Sequence, residues 1–147
     1  MATDERTTLV LSTDSELFFH RSGTVQRCLI EPADRLLAFA KQHGMTMTFC
    51  VDTGMLQCLD RHAGAHHELA EQAKLVRAQL RRIAAAGHEL GLHVHPHWAD
   101  TRLVDGEWDF SDTRYRLDMF AEDEAAKLLE ENFRLLQELS DEPVVSY

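Results

Sequence analysis

Apolar runs and helix-periodic stretches alternate along the chain. TTLVLST (7–13) is β-branched and apolar and predicts a buried strand. Residues 32–43 carry apolar side chains at 36, 37, 39 and 40, a helical spacing. Pro32 suits the first helical position and Gly44 the position just past the end. MTMTFCV (45–51) predicts a second strand. Residues 66–86 form a long helix pattern that stops at Gly87, and HELGLHV (88–94) predicts a third strand. Residues 121–139 are a third strong helix, with acidic residues in the first turn. Pro143-Val144-Val145 opens a fourth apolar segment, read as a strand. The order β-α-β-α-β-α-β predicts an α/β fold with a parallel sheet and right-handed crossovers. Residues 98–120 form a long connection rich in aromatic and charged residues, the kind of loop that often carries function.

A length of 147 residues fits one domain, and 44% hydrophobic content supplies its core. The net charge of −10 argues against nucleic acid and against an anionic membrane surface as partners. Much of the acid falls between Glu122 and Glu138, as a solvated helix face. Cys28, Cys50 and Cys58 are odd in number and form no CxxC, which points to reduced thiols. The opening residues are polar, unlike a signal peptide, and no apolar run approaches the roughly 20 residues of a membrane span. These features together predict a cytoplasmic protein.

Parallel α/β folds build their sites at the C-terminal ends of strands. Asp14 and Glu16 end the first strand, Asp52 the second, and His93, His95 and His97 the third. Carboxylates and imidazoles on one rim suit a divalent metal, Zn²⁺ first, with Co²⁺, Mn²⁺ or Ni²⁺ as alternatives. The spacing leaves the histidine pair open. In a continuous strand His93 and His95 stand about 6–7 Å apart and His93 and His97 about 13 Å. A helical turn would instead bring 93 and 97 to about 6 Å. Pro96 ends the strand pairing near His95.

Other polar and aromatic residues have plainer roles. His88 begins its strand, at the opposite end of the sheet, and reads as structural. His62, His66 and His67 read as a surface cluster ahead of a helix. Trp98 and Trp108 fit either a core or a substrate platform, and Asp52 either a cap on the short helix that follows it or a member of the site. Cys50 reads as a buried strand residue, Cys28 and Cys58 as helix-packing residues.

GHELGLHVHPHW (87–98) resembles the second motif of the polysaccharide deacetylase family, the NodB-homology fold, in which a GHE-(I/L)-G stretch precedes H-x-x-x-H. LVLSTDSE (9–16) is similar to the first motif, an apolar strand ending in acids, and TFCVDTGML (48–56) to the second-strand region. The resemblance covers residues 7–147 and implies the first half of a distorted (β/α) barrel. It implies a metal-dependent hydrolase that removes N-acetyl or related acyl groups from a carbohydrate or sugar-linked small substrate. On it Asp14 is the catalytic base acting on a metal-activated water, and His93 and His97 are metal ligands. Ser15 stands where the family usually has a second acid, and on a D-x-E pattern Glu16 becomes the third ligand. His95, Trp98 and Asp52 then line the site. The family's later motifs, including the arginine that orients the base and the histidine that acts as general acid, lie beyond the fourth strand. Residues 1–147 thus read as a single, C-terminally truncated domain. Four strands do not close a barrel, so a homodimer or a C-terminal half is expected to cover the open edge.

Two further readings stay open. An amidohydrolase-type barrel would hold its metal with the H-x-H pair His93 and His95. A non-catalytic metal- or sugar-binding module that dimerises would bind without turnover.

Overall fold

Three parallel strands form the centre of the computed structural model, which describes residues 8–17, 24–110 and 113–147. They are β1 (Ser12–Ser15), β2 (Thr48–Asp52) and β3 (Glu89–His93), hydrogen-bonded in the order β1-β2-β3. The register aligns Ser12 with Thr48 and Thr48 with Glu89, so Asp52 and His93 stand side by side at the C-terminal edge. Helices α1 (Glu31–His43), α2 (Thr53–Ala63), α3 (His67–Ala85) and α4 (Glu122–Gln137) complete the α/β fold.

The elements form where local chemistry favours them. A π-helical turn, Gln26–Ile30, leads into α1, and Pro32 sits in its first turn. Gly44 closes α1 at φ 61°, a conformation that costs glycine no Cβ clash. Phe49 and Val51 of β2 and Leu90 and Leu92 of β3 bury one sheet face against Met55, Leu56 and Leu59 of α2 and Val76, Leu80 and Ile83 of α3. Asn132 fastens α4 to the start of α2. Its Oδ1 accepts from Thr53 Oγ1 at 2.6 Å, and its Nδ2 donates to the Leu128 carbonyl at 2.7 Å.

The opposite sheet face is polar. Thr48 donates to Glu89 across the ladder at 2.8 Å, and Cys50 is only half-buried there. Its thiol pKa is raised by partial burial first, then by the charges of Asp14 and Glu89. Cys58 is the buried cysteine, and its thiol is pushed up to about 11, chiefly by burial. His88 stands at the N-terminal end of β3, where its Nδ1 accepts the Met47 N–H at 3.2 Å, a structural role.

Three expectations are corrected. The first strand lies at 12–15, not 7–13: Leu9 and Val10 are 74% and 77% exposed. The ladder to β2 begins only at Leu11, whose carbonyl accepts the Thr48 N–H, so among the described residues Leu9 and Val10 pair with no strand. Thr7 and the polar opening residues lie outside the described residues. The segment at 143–145 is not a strand. Pro143 has no N–H, and the Val144 N–H goes to the side chain of Gln137. The segment still lies along β3, where Ser146 accepts the Leu92 N–H at 2.9 Å. Gly91 permits this approach, since a Cβ there would stand 2.5 Å from Ser146 Oγ. Finally, the long connection contains an antiparallel hairpin, β4 (Arg102–Val104) and β5 (Glu107–Asp109), turning on Asp105 and Gly106 with φ of 51° and 79°. Asp-Gly is a strong hairpin signal and stands in the sequence at that turn.

Among the described residues no helix is long and apolar enough to cross a membrane, in line with the expectation of no span.

Candidate metal centre

Glu16 follows β1 and His93 ends β3, so the parallel sheet delivers both to its C-terminal rim. The chain stays extended through His95 (φ −101°, ψ 100°), and the two-residue period puts His95 on the same side as His93. Pro96 then opens a 3₁₀ turn, Pro96–Ala99. Three ligand atoms converge as a result. His93 Nε2 lies 3.0 Å from Glu16 Oε2 and 3.0 Å from His95 Nε2, and His95 Nε2 contacts the same Glu16 oxygen. All three side chains are partly buried.

The donor set fits a divalent ion. Two imidazole nitrogens and one carboxylate oxygen match the three protein ligands of catalytic zinc sites. Ligands about 2.0–2.1 Å from a tetrahedral ion stand roughly 3.3 Å from one another, near the 3.0 Å from His93 Nε2 to Glu16 and to His95, while the His95–Glu16 contact is shorter and would have to open.

His97 goes elsewhere. The 3₁₀ turn carries it inward, to 2% exposure, among Trp98, Phe110 and Tyr115, with Tyr115 stacked on its ring at 6.2 Å. Burial, and secondarily the His95 charge, lower its pKa to about 4, against the opposing pull of Glu16. It is therefore neutral at pH 7 and part of the core. The cluster at the rim is thus Glu16, His93 and His95, not the expected Glu16, His93 and His97.

A buried pair braces this turn. Asp52, in register with His93, accepts the Trp98 indole N–H at its Oδ2. Its Oδ1 makes no hydrogen bond among the described residues, although the nearby amides of Met55 and His95 favour the charged carboxylate. Burial pushes the carboxyl up to about 7, against the Trp98 indole and those amides; the Glu16 charge adds to the rise. Asp52 stands at the N-terminus of α2 without a formed side-chain cap bond. Gly54 leaves room for the indole, because a Cβ there would approach Trp98 Cβ to 3.2 Å.

Asp14 is exposed, two residues before Glu16 and beside Cys50 in the β1–β2 register. Ser15 alternates to the other face and borders Leu29, Ile30 and Val51. The position that usually carries a second acid in the resembled motif therefore faces the helix layer. Of the three histidines read as a cluster ahead of α3, His66 and His67 are surface residues near Glu68 and Glu71, while His62 packs edge-on against Trp108.

A cavity of about 280 Å³ opens beside His95, lined in part by Gly54, Arg61, Trp98, Arg114, Phe120 and Lys127. No motif announced it, because its walls come from α2, the 3₁₀ turn and α4, which meet only in the fold.

Compared with known proteins, the chain matches no family model, no curated protein and no solved structure.

Proposed function

We propose that the chain is a metal-dependent hydrolase that removes N-acetyl or related acyl groups from a carbohydrate, with its ion held by Glu16, His93 and His95. The convergence of those three ligand atoms carries the reading. The hydrolysed bond and the sugar rest on the resemblance of GHELGLHVHPHW and LVLSTDSE to the deacetylase motifs. We read the three-stranded parallel sheet as part of the distorted (β/α) barrel that this resemblance implies, and a reducing, cytoplasmic setting from the thiols.

A divalent ion at this site supplies Lewis acidity toward a carbonyl and lowers the pKa of a bound water. The chain's own residues divide the remaining tasks. Glu16 and the two imidazoles would hold the ion at the rim, and the Glu16 carboxylate would offset part of its charge. Asp14, two residues before Glu16, is the carboxylate to which the resemblance gives the task of accepting a proton. Trp98 donates its backbone N–H to the His95 carbonyl at 3.2 Å and its indole N–H to Asp52, which ties the His95 backbone to the end of β2.

The test is metal content by elemental analysis, followed by acetate release from N-acetylated sugars. Near-stoichiometric metal, lost in Glu16→Gln, His93→Ala and His95→Ala, together with chelator-sensitive release, is the expected result. A folded chain that takes up no divalent ion overturns the reading. A metal-loaded chain that releases no acetate overturns the deacetylase assignment and leaves a binding module.

The His93–His95 contact of 3.0 Å also favours a second reading, the amidohydrolase type with its H-x-H pair. It predicts the same metal ligands, with hydrolysis of other amides and none of N-acetyl sugars.

A further inference from the structure

The cavity beside His95 gathers three cations in a chain of net charge −10. Arg61, Arg114 and Lys127 line it, against Glu124 and Glu131. Two of these cations are committed. Arg114 donates to both oxygens of Asp100, at 2.8 and 2.7 Å, reaches Glu124, and lies 4.1 Å over the Phe120 ring. Lys127 stands 3.8 Å from Glu131, one helical turn on.

Arg61 differs. Its Nη2 donates to the neutral Trp98 carbonyl at 2.5 Å, which anchors the guanidinium without neutralising it. Its side chain also bonds the Cys58 thiol, and Asp100, whose oxygens accept from Arg114, feels its field. A guanidinium has five N–H donors in a planar fork suited to a carboxylate or phosphate. Trp98, Phe120 and Leu128 give the wall apolar surface, and Gln57 and Asn132 add neutral polar groups, a mixture that suits the body of a sugar-sized molecule. The volume, about 280 Å³, falls just under the range of about 300–1,000 Å³ usual for ligand pockets, enough for a sugar-sized group.

We infer that this cavity is a binding site for a small ligand with an anionic group, carboxylate or phosphate, held at Arg61, and that the ligand's other end reaches His95. The inference rests on the proposed metal-dependent hydrolase and narrows its substrate to a small, anionic acylated sugar.

Calorimetric titration tests it with three probes: N-acetylglucosamine, its 6-phosphate, and an N-acetylated uronic acid. The parent chain should bind one or both anionic probes about tenfold or more tighter than the neutral sugar. Preference for the phosphate alone or the uronate alone identifies which anion the site takes. Arg61→Gln should abolish the preference and Arg61→Lys retain part of it. Ala99→Leu, which narrows the cavity from an exposed position without altering charge, should weaken all binding. In Glu16→Gln, where the proposed metal site is broken, the preference should persist. Loss of preference in Glu16→Gln but not in Arg61→Gln would place the anion at the metal cluster and overturn the inference. Equal affinity for neutral and anionic probes would overturn it too, and a parent chain that still carried stoichiometric metal would leave the proposed hydrolase standing.

Discussion

Trp98 donates its indole N–H to Asp52 where neither side chain reaches solvent, at 1% and 0% exposure. The bond joins the end of β2 to the 3₁₀ turn that follows His95. It therefore fixes the direction in which the chain leaves the third strand, and with it which histidines stay at the rim.

Asp52→Ala should destabilise the fold by about 1–3 kcal/mol, because it leaves the Trp98 N–H buried without its acceptor. Asp52→Asn keeps an oxygen for the indole and removes a carboxyl that burial already disfavours as an anion, so its loss should be under about 1 kcal/mol. Denaturant unfolding at pH 7 separates the two. Metal affinity should fall about tenfold in Asp52→Ala, through a loosened His95 backbone, and be largely retained in Asp52→Asn. Equal losses in both variants would show that the carboxylate charge, not the hydrogen bond, matters.

Ion binding should stabilise the folded chain by linkage. A free divalent ion at about 100 times its Kd adds about 2.7 kcal/mol when the unfolded chain does not bind it. For a domain of this size that is a rise in Tm of roughly 6–10 °C. Zn²⁺ should produce the shift in the parent chain and not in Glu16→Gln, read by thermal unfolding with and without chelator. An equal shift in both would place the ion elsewhere, with the exposed His67 the first place to look.

Much of this arrangement is legible in the sequence, for identifiable reasons. Helices α1, α3 and α4 follow the hydrophobic period, and Gly44 and Gly87 mark two of their ends with positive φ. Glu16 and His93 can be assigned to one rim because parallel strands bring their C-terminal ends together. The choice between His95 and His97 cannot be made locally. Pro96 signals a turn, but its direction depends on Trp98 docking to Asp52, 46 residues earlier. The pattern misplaces the first strand because Leu9 and Val10 look like core, while burial depends on whether a neighbouring strand extends that far. The 143–145 segment has strand-like composition, but a side chain of α4 takes the amide a ladder would need.

Asp100 and Arg114 tie the end of the 3₁₀ turn to the segment before α4 and should give the fold an acid-labile contribution. The Arg114 hydrogen bonds hold the Asp100 carboxyl below its ordinary value. A carboxyl depressed in the folded state stabilises above its unfolded pKa, near 3.9, and the gain disappears as pH falls through the folded value. The contribution should be on the order of 0.5–1 kcal/mol, since the pair is partly exposed. Unfolding free energies of the parent and Asp100→Asn should therefore differ from pH 7 down to about pH 4 and converge below it. A difference that persists unchanged at pH 2 would assign the effect to packing.

His97 offers the sharpest contrast between the resembled motif and the fold. The motif makes it a metal ligand; the structure packs it between Trp98, Phe110 and Tyr115. A ligand removed costs metal, whereas a core ring removed costs packing. His97→Ala should lose about 2–4 kcal/mol of stability, as for other large-to-small changes in a core, and keep stoichiometric metal at a temperature where it remains folded. His97→Phe, which refills the space with an aromatic ring, should recover most of that stability and also keep the metal. His95→Ala should do the reverse, with a smaller loss of stability and no bound ion, because His95 is partly exposed at the rim. If metal leaves with His97→Phe in a folded chain, the ring nitrogen is a ligand after all. The bound form would then differ from this structure by a reorientation of the Pro96–Ala99 turn.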